Sequence, residues 1–298
     1  MSGSCFGFAP VSDLSFEYLR DGDGDALEIG ERDGGVDDAG GALVNEWTPI
    51  PERRSWARLY EDAGTFRLWI EGSGSFHIDP RIPRVVLPVG LESTVKREER
   101  LWGIPALLCF LGRSDHPLHA AAVEVDGETI LLAAPGYAGK TTLAAGFAAA
   151  GHRVLSEDVS CLRFSSRPML VPGPAMLRVR RDIASRLEIP GASEVAAGDD
   201  RTHYSLDRAS RGDCTPVPVR AFVLLRNTEH GIRLERVSPV DSLRELWPLS
   251  FRLPTLHDRE RCFQGVTALA DAVPVWNLYR PLRLDLLGEV VEKIAADV

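Results

Sequence analysis

Only three of the chain's 34 basic residues are lysine, and one of them, Lys140, lies in Gly139-Lys140-Thr141 just behind an apolar run. The stretch Ala134-Pro135-Gly136-Tyr137-Ala138-Gly139-Lys140-Thr141, followed by Thr142, has the residue types of a phosphate-binding loop. Backbone N–H groups in such a loop, together with a helix N-terminus, offer oriented donors to phosphate oxygens. Lys140 is placed to reach the β- and γ-phosphates, and the Thr141 hydroxyl to ligate Mg²⁺. A lysine kept in an arginine-using chain marks a place where a compact ammonium is not replaced by a planar guanidinium. A second element is Val154-Leu155-Ser156-Glu157-Asp158, an apolar stretch that delivers two adjacent carboxylates. Two neighbouring acids suit a division of labour in which one holds Mg²⁺ and the other accepts a proton from an attacking hydroxyl.

For these groups to meet, the flanking sequence must supply a strand, a turn and a helix. Residues 120–125 and 129–133 are apolar runs joined by Asp126-Gly127, a strong two-residue hairpin signal. Residues 141–150, rich in Ala and Leu and ended by Gly151, read as a helix. Strands are expected around Val154 and over 161–164, 219–225, 232–237 and 275–278, with a closing helix over 284–295. Upstream, Phe66, Leu68 and Ile70 alternate as in a strand, while 91–111 reads as helical with a break at Pro105. Residues 1–50 contain short apolar pieces between turns such as Asp21-Gly22-Asp23-Gly24-Asp25, which predicts short strands and loops. The fold class expected is mixed α/β with a β-rich N-terminal region, divided into 1–113 and 114–298.

The segment from His119 to Asp158 resembles the catalytic core of HPr kinase/phosphorylase and its wider group of HPr-kinase-like proteins. In that family a histidine precedes a two-stranded hairpin, then come a Gly-Lys-Ser loop, a helix, Gly-His-Arg, an apolar pair and Ala-Asp-Asp. Here His119, the hairpin, Gly139-Lys140-Thr141, Gly151-His152-Arg153 and Glu157-Asp158 follow in that order, with matching intervals from His119 to Ala134 and from Lys140 to Gly151. The resemblance implies a P-loop kinase core of HPr kinase/phosphoenolpyruvate carboxykinase type with a mixed sheet. It implies ATP and Mg²⁺ as cofactors. It implies Lys140, Glu157 and His119 as catalytic residues, residues 135–142 (Pro135, Gly136, Tyr137, Ala138, Gly139, Lys140, Thr141, Thr142) around the nucleotide, and Thr141 and Asp158 at the metal. Glu157 stands where the family has its proton-accepting Asp.

The family's later Glu-Ile-Arg-Gly-Leu-Gly segment is replaced by Val171-Pro172-Gly173-Pro174 through Arg181, which turns the expectation away from HPr itself. Shorter HPr-kinase-like proteins are associated with peptide modification, including kinases of lasso peptide precursors. The leading acceptor is therefore a Ser or Thr hydroxyl of a peptide or protein. A small-molecule kinase and a non-catalytic nucleotide-binding regulatory module remain as alternatives.

Composition limits the other classes. With 298 residues, 44% apolar and 26% charged, the chain has material for one large or two modest domains. A net charge of −9 argues against nucleic acid or an anionic membrane as the main partner. No run approaches the ~18 apolar residues of a membrane helix, no targeting segment is evident, and five widely spaced cysteines suggest neither disulfides nor zinc. A cytoplasmic protein is expected, with a homo-oligomer left open. Asp21, Asp23 and Asp25 have calcium-loop offsets, but Ala26 and Arg32 occupy the glycine and closing-glutamate positions, so they read as an acidic turn. Arg178, Arg180 and Arg181 form a basic cluster that suits either a phosphate grip or a solvated face, with 178 and 180 on one side of a strand. Trp276, Tyr279 and Arg280 read as core, with a peptide groove as the alternative.

Overall fold

The apolar runs of the second half assemble a nine-stranded mixed sheet. Its path runs His116–Leu118, Ser160–Phe164, Pro168–Val171, Val217–Asn227, Glu128–Ala133, Ala121–Val125, Arg153–Ser156; Val275–Arg280 also pairs with Val217–Asn227, and Arg233–Arg236 with Val275–Arg280. The computed structural model describes residues 3–33, 40–48, 56–91, 93–134, 138–197 and 200–298, with the side chain of Arg208 excepted. At the hairpin Asp126 and Gly127 have φ of 52° and 78°, the left-handed pair that a two-residue turn requires between right-twisting strands.

Side chains of the central strands alternate between two cores. Ile130 and Leu132 face the helices Lys140–Ala149 and Leu287–Asp297, whereas Leu131 and Ala133 face Pro239–Leu246 and Leu256–Ala272. Burial on both faces explains why these strands read as unbroken apolar runs. The closing helix begins at Leu287, after a 3₁₀ turn over Leu284–Leu286.

The short strands expected over 1–50 are present, and most of them join the strand expected around Phe66, Leu68 and Ile70 in a single sheet. This sheet has seven strands in the order Phe8–Val11, Asp25–Arg32, Arg84–Pro88, Gly74–Asp79, Thr65–Ile70, Ala57–Asp62, Ala42–Trp47, while Gly3–Ser4 and Arg20–Asp21 pair separately. Its first two pairings are parallel, Phe8–Val11 with Asp25–Arg32 and that strand with Arg84–Pro88. Two helices pack against this sheet, Thr94–Leu101 and Ile104–Gly112; the break falls at Trp102 and Gly103, just before Pro105, whose missing N–H costs nothing in the first turn of the second helix. One apolar cluster joins this region to the larger sheet, since Phe6, Phe8 and Phe110 share it with Cys161, Val171 and Leu253. Arg20, fully buried, donates to the carbonyls of Val154 (2.7 Å), Leu155 (3.2 Å), Gly173 (2.7 Å) and Arg211. Burial lowers its guanidinium to about 10. No helix of the described residues is long and apolar enough to cross a membrane.

His116 gives the fold a pH dependence. Its ring is buried, Nε2 donates to Ser250 Oγ at 3.1 Å, and burial together with the Arg261 charge pushes its pKa from 6.5 down to about 4. The unfolded chain therefore takes up this proton first. Stability is full above pH 6.5 and falls as the pH drops toward 4, by about 2 kcal/mol between pH 7 and pH 5 from this residue. Urea denaturation at the two pH values checks this: His116→Gln loses about 2 kcal/mol less than wild type across the interval, and equal losses would refute the assignment.

Candidate functional site

The mixed sheet brings distant residues to one edge. Ala121–Val125 runs antiparallel to both Glu128–Ala133 and Arg153–Ser156. The start of the first strand, marked by His119, therefore lies beside the ends of the other two, marked by the lysine loop and by Glu157-Asp158. Val217–Asn227 is parallel to Glu128–Ala133, and Val275–Arg280 is parallel to Val217–Asn227, so Arg280 ends at the same edge. Carboxyl ends of parallel strands are where open α/β sheets bind ligands.

Gly139 adopts φ 85°, a left-handed conformation suited to glycine, and opens the helix Lys140–Ala149 without a capping side chain or a first-turn acid. Its first amides are thus left to whatever occupies the site. Lys140 is only 7% exposed; its Nζ donates to the Ala134 carbonyl at 3.0 Å and to His119 Nε2 at 2.9 Å. Burial lowers the lysine, opposed by the nearby charges of Asp158 and Glu157. His119 is held by its backbone N–H, which donates to Leu249 O at 2.7 Å. Burial also lowers its imidazole, with Asp158 opposing and Lys140 reinforcing the shift. A neutral ring that accepts from Lys140 at Nε2 carries its proton at Nδ1, which lies 3.6 Å from Asp158 Oδ1.

The two acids have different surroundings. Glu157 is 3% exposed and both of its oxygens are engaged: Oε1 accepts from Thr141 Oγ1 at 2.9 Å, Oε2 from Arg178 Nε at 2.7 Å. Arg201 Nη1 stands 3.9 Å from Oε1. Asp158 is half-exposed, with Arg178 Nη2 3.6 Å from Oδ2. Arg178 also donates to Glu99 Oε1 at 2.8 Å. Burial works against the Arg178 charge, but Glu157, Glu99 and Asp158 outweigh it and hold the guanidinium above its ordinary range.

All these groups line a cavity of about 1070 Å³. Ala138, Gly139 and Thr142 line it too, as do Trp47, Trp56 and Trp102 from the first part of the chain. His119, Lys140, Thr141, Glu157 and Asp158 are therefore brought together, while Pro135, Gly136 and Tyr137 lie outside the described residues. Of the basic cluster, Arg178 contacts both acids; Arg180 also lines the cavity, paired with exposed Asp182 at 2.9 Å, and Arg181 opens the short helix Arg181–Ala184. Glu99 and Arg201 carried no motif to single them out. Arg280, read from sequence as core, is both buried and part of the cavity wall.

The oxygen donors fit Mg²⁺, which needs one or two carboxylates and a hydroxyl in addition to phosphate oxygens and water. The described residues include no group of three or more His, Cys, Asp or Glu able to hold a metal by themselves.

No family model matches the chain, and no curated protein matches it. Among solved structures it is similar to the HPr(Ser) kinase/phosphatase from Coxiella burnetii, with 13% identity and a TM-score of 0.32 over 60% of this chain and 95% of that one. At that level of likeness nothing about activity passes from one protein to the other.

Proposed function

We propose that the chain is an ATP- and Mg²⁺-dependent kinase that transfers the γ-phosphoryl group to a Ser or Thr hydroxyl of a peptide or protein, with the stretch from Ala134 to Thr141 as its phosphate-binding loop. The observation that carries this reading is the 2.9 Å hydrogen bond from Thr141 to Glu157. It ties the hydroxyl behind a helix-opening lysine to a carboxylate at a neighbouring strand end, the donor set that a metal-bound phosphate chain requires.

The surroundings of the acids support an assignment of roles opposite to the one the resemblance implies. Glu157, with both oxygens engaged, orients Thr141 on the metal side. Asp158, half-exposed on the cavity and next to His119, accepts the proton of the acceptor hydroxyl. Thr141 and Glu157, with Asp158 close by, would hold Mg²⁺, which when bound neutralises charge on the phosphate oxygens. Lys140 exchanges its bond to the Ala134 carbonyl for the transferring phosphoryl group and stabilises the charge there. His119 keeps Lys140 and Asp158 in register. As the bond between the γ-phosphorus and its bridging oxygen breaks, the acceptor oxygen bonds to phosphorus and its proton passes to Asp158.

Calorimetry tests the nucleotide site first. ATP binds wild type in a Mg²⁺-dependent way, and Lys140→Ala weakens binding by about tenfold or more. No binding by wild type would sink the kinase reading. Binding with no transfer to serine peptides or small alcohols would leave a nucleotide-binding regulatory module.

A further inference from the structure

Among the described residues, one cation of the site has no matching acid. Arg280 ends the strand Val275–Arg280 and is 6% exposed, so its guanidinium is almost wholly out of bulk water. Among the described residues its hydrogen bond is from Nη2 to the Ala138 carbonyl at 3.1 Å, and its buried Nε has no partner. Burial alone lowers it, with no carboxylate opposing the shift. Arg178 is different, since it is surrounded by Glu157, Glu99 and Asp158. A buried, unpaired charge is costly, and chains that keep one usually have an anion to meet it.

The position of Arg280 says where that anion lies. A side chain at Gly139 would come within 2.7 Å of Arg280 Nη2, so the guanidinium lies against the turn that opens the uncapped helix Lys140–Ala149, and both face the same cavity. We infer that Arg280, the amides at the start of this helix and Lys140 form an oxyanion subsite for a phosphoryl or pyrophosphoryl group, in which Arg280 is the second cation. The inference rests on the phosphate-binding reading of the loop and extends it to a residue at the far end of the sequence. Arg280 is suited to this by its planar fork, which can keep the loop carbonyl on one nitrogen and offer other donors to an anion.

The test pairs ligand binding with stability of the free protein, using Arg280→Met. Titration with inorganic pyrophosphate should show affinity about ten- to a hundredfold weaker in the variant than in wild type. Without ligand, the variant should melt no lower than wild type, because an unpaired buried charge has been replaced by an apolar chain of similar length. Unchanged pyrophosphate affinity, or no binding by wild type, overturns the inference. A lower melting temperature with unchanged affinity would make Arg280 a loop anchor only. Arg280→Lys serves as a folding control, and pyrophosphate binding intermediate between wild type and Met is expected. Arg280-dependent pyrophosphate binding in a protein that transfers nothing from ATP would remove the kinase reading and leave this subsite standing.

Discussion

In the proposed kinase, Asp158→Asn lowers phosphoryl transfer by about a hundred- to ten-thousandfold while ATP affinity changes little. The range is that of a general base lost from the transition state, and the loss falls on kcat because, on the proposed reading, the carboxylate acts on the acceptor proton. Asn keeps the volume and an oxygen that His119 Nδ1 can approach, so the 3.6 Å pairing survives without its charge. Glu157→Gln has a different signature. Gln can still accept from Thr141 but no longer matches Arg178 as an anion, so nucleotide and metal affinity fall along with turnover. Steady-state kinetics on both variants, with ATP affinity from calorimetry, decides between the two acids. If Glu157→Gln gives the pure kcat loss and Asp158→Asn the affinity loss, the roles revert to those of the resembling family.

Arg178→Met unfolds more readily than wild type by about 3–5 kcal/mol, the cost of removing one partner from a buried ion pair. The figure applies because Glu157 is almost fully buried and Arg178 is its closest cation, at 2.7 Å. Without it, Glu157, Glu99 and Asp158 share the cavity with Arg201, 3.9 Å from Glu157, and Lys140 among the cations that stay. Arg178→Lys should fall between, since one ammonium cannot form the forked contacts made through Nε and Nη1. Equilibrium denaturation in urea measures both. A loss below about 1 kcal/mol would place Arg178 with ordinary surface pairs. Adding Glu157→Gln to Arg178→Met should restore part of the stability, because the uncompensated charge is then removed.

Local signals made much of the site legible in the sequence. The Asp126-Gly127 turn, the apolar runs beside it, the Ala-rich helix closed by Gly151 and the acids after Val154-Leu155 all depend on neighbours within a few residues. The hairpin and helix accordingly fall within a residue or two of their expected bounds. The seven-stranded sheet was less legible because its parallel pairings join Phe8–Val11 to Asp25–Arg32 and then to Arg84–Pro88, and no turn signal announces a pairing of that kind. The partners of Arg178 were hidden for a related reason. Glu99 lies in a run of charges on an exposed-looking helix, and only tertiary packing distinguishes it from Lys96 or Arg97. Arg280 follows an apolar strand and reads as its last core residue; burial was the correct inference, but burial of a charge without a partner is visible only in three dimensions.

Arg20 couples the acidic pair to the opposite region of the chain. It donates to the Val154 carbonyl across 134 positions of sequence, to the adjacent Leu155 carbonyl, and to two further segments through Gly173 and Arg211. Closing a loop of that length precedes any reward from the contacts it makes, so the order of folding events matters here. The lysine loop and its helix can form from nearby residues, but Glu157 and Asp158 gain their anchored position only when the N-terminal strands have docked. A fragment beginning after Arg20 would thus keep the loop and its helix but leave the carboxylates without their backing.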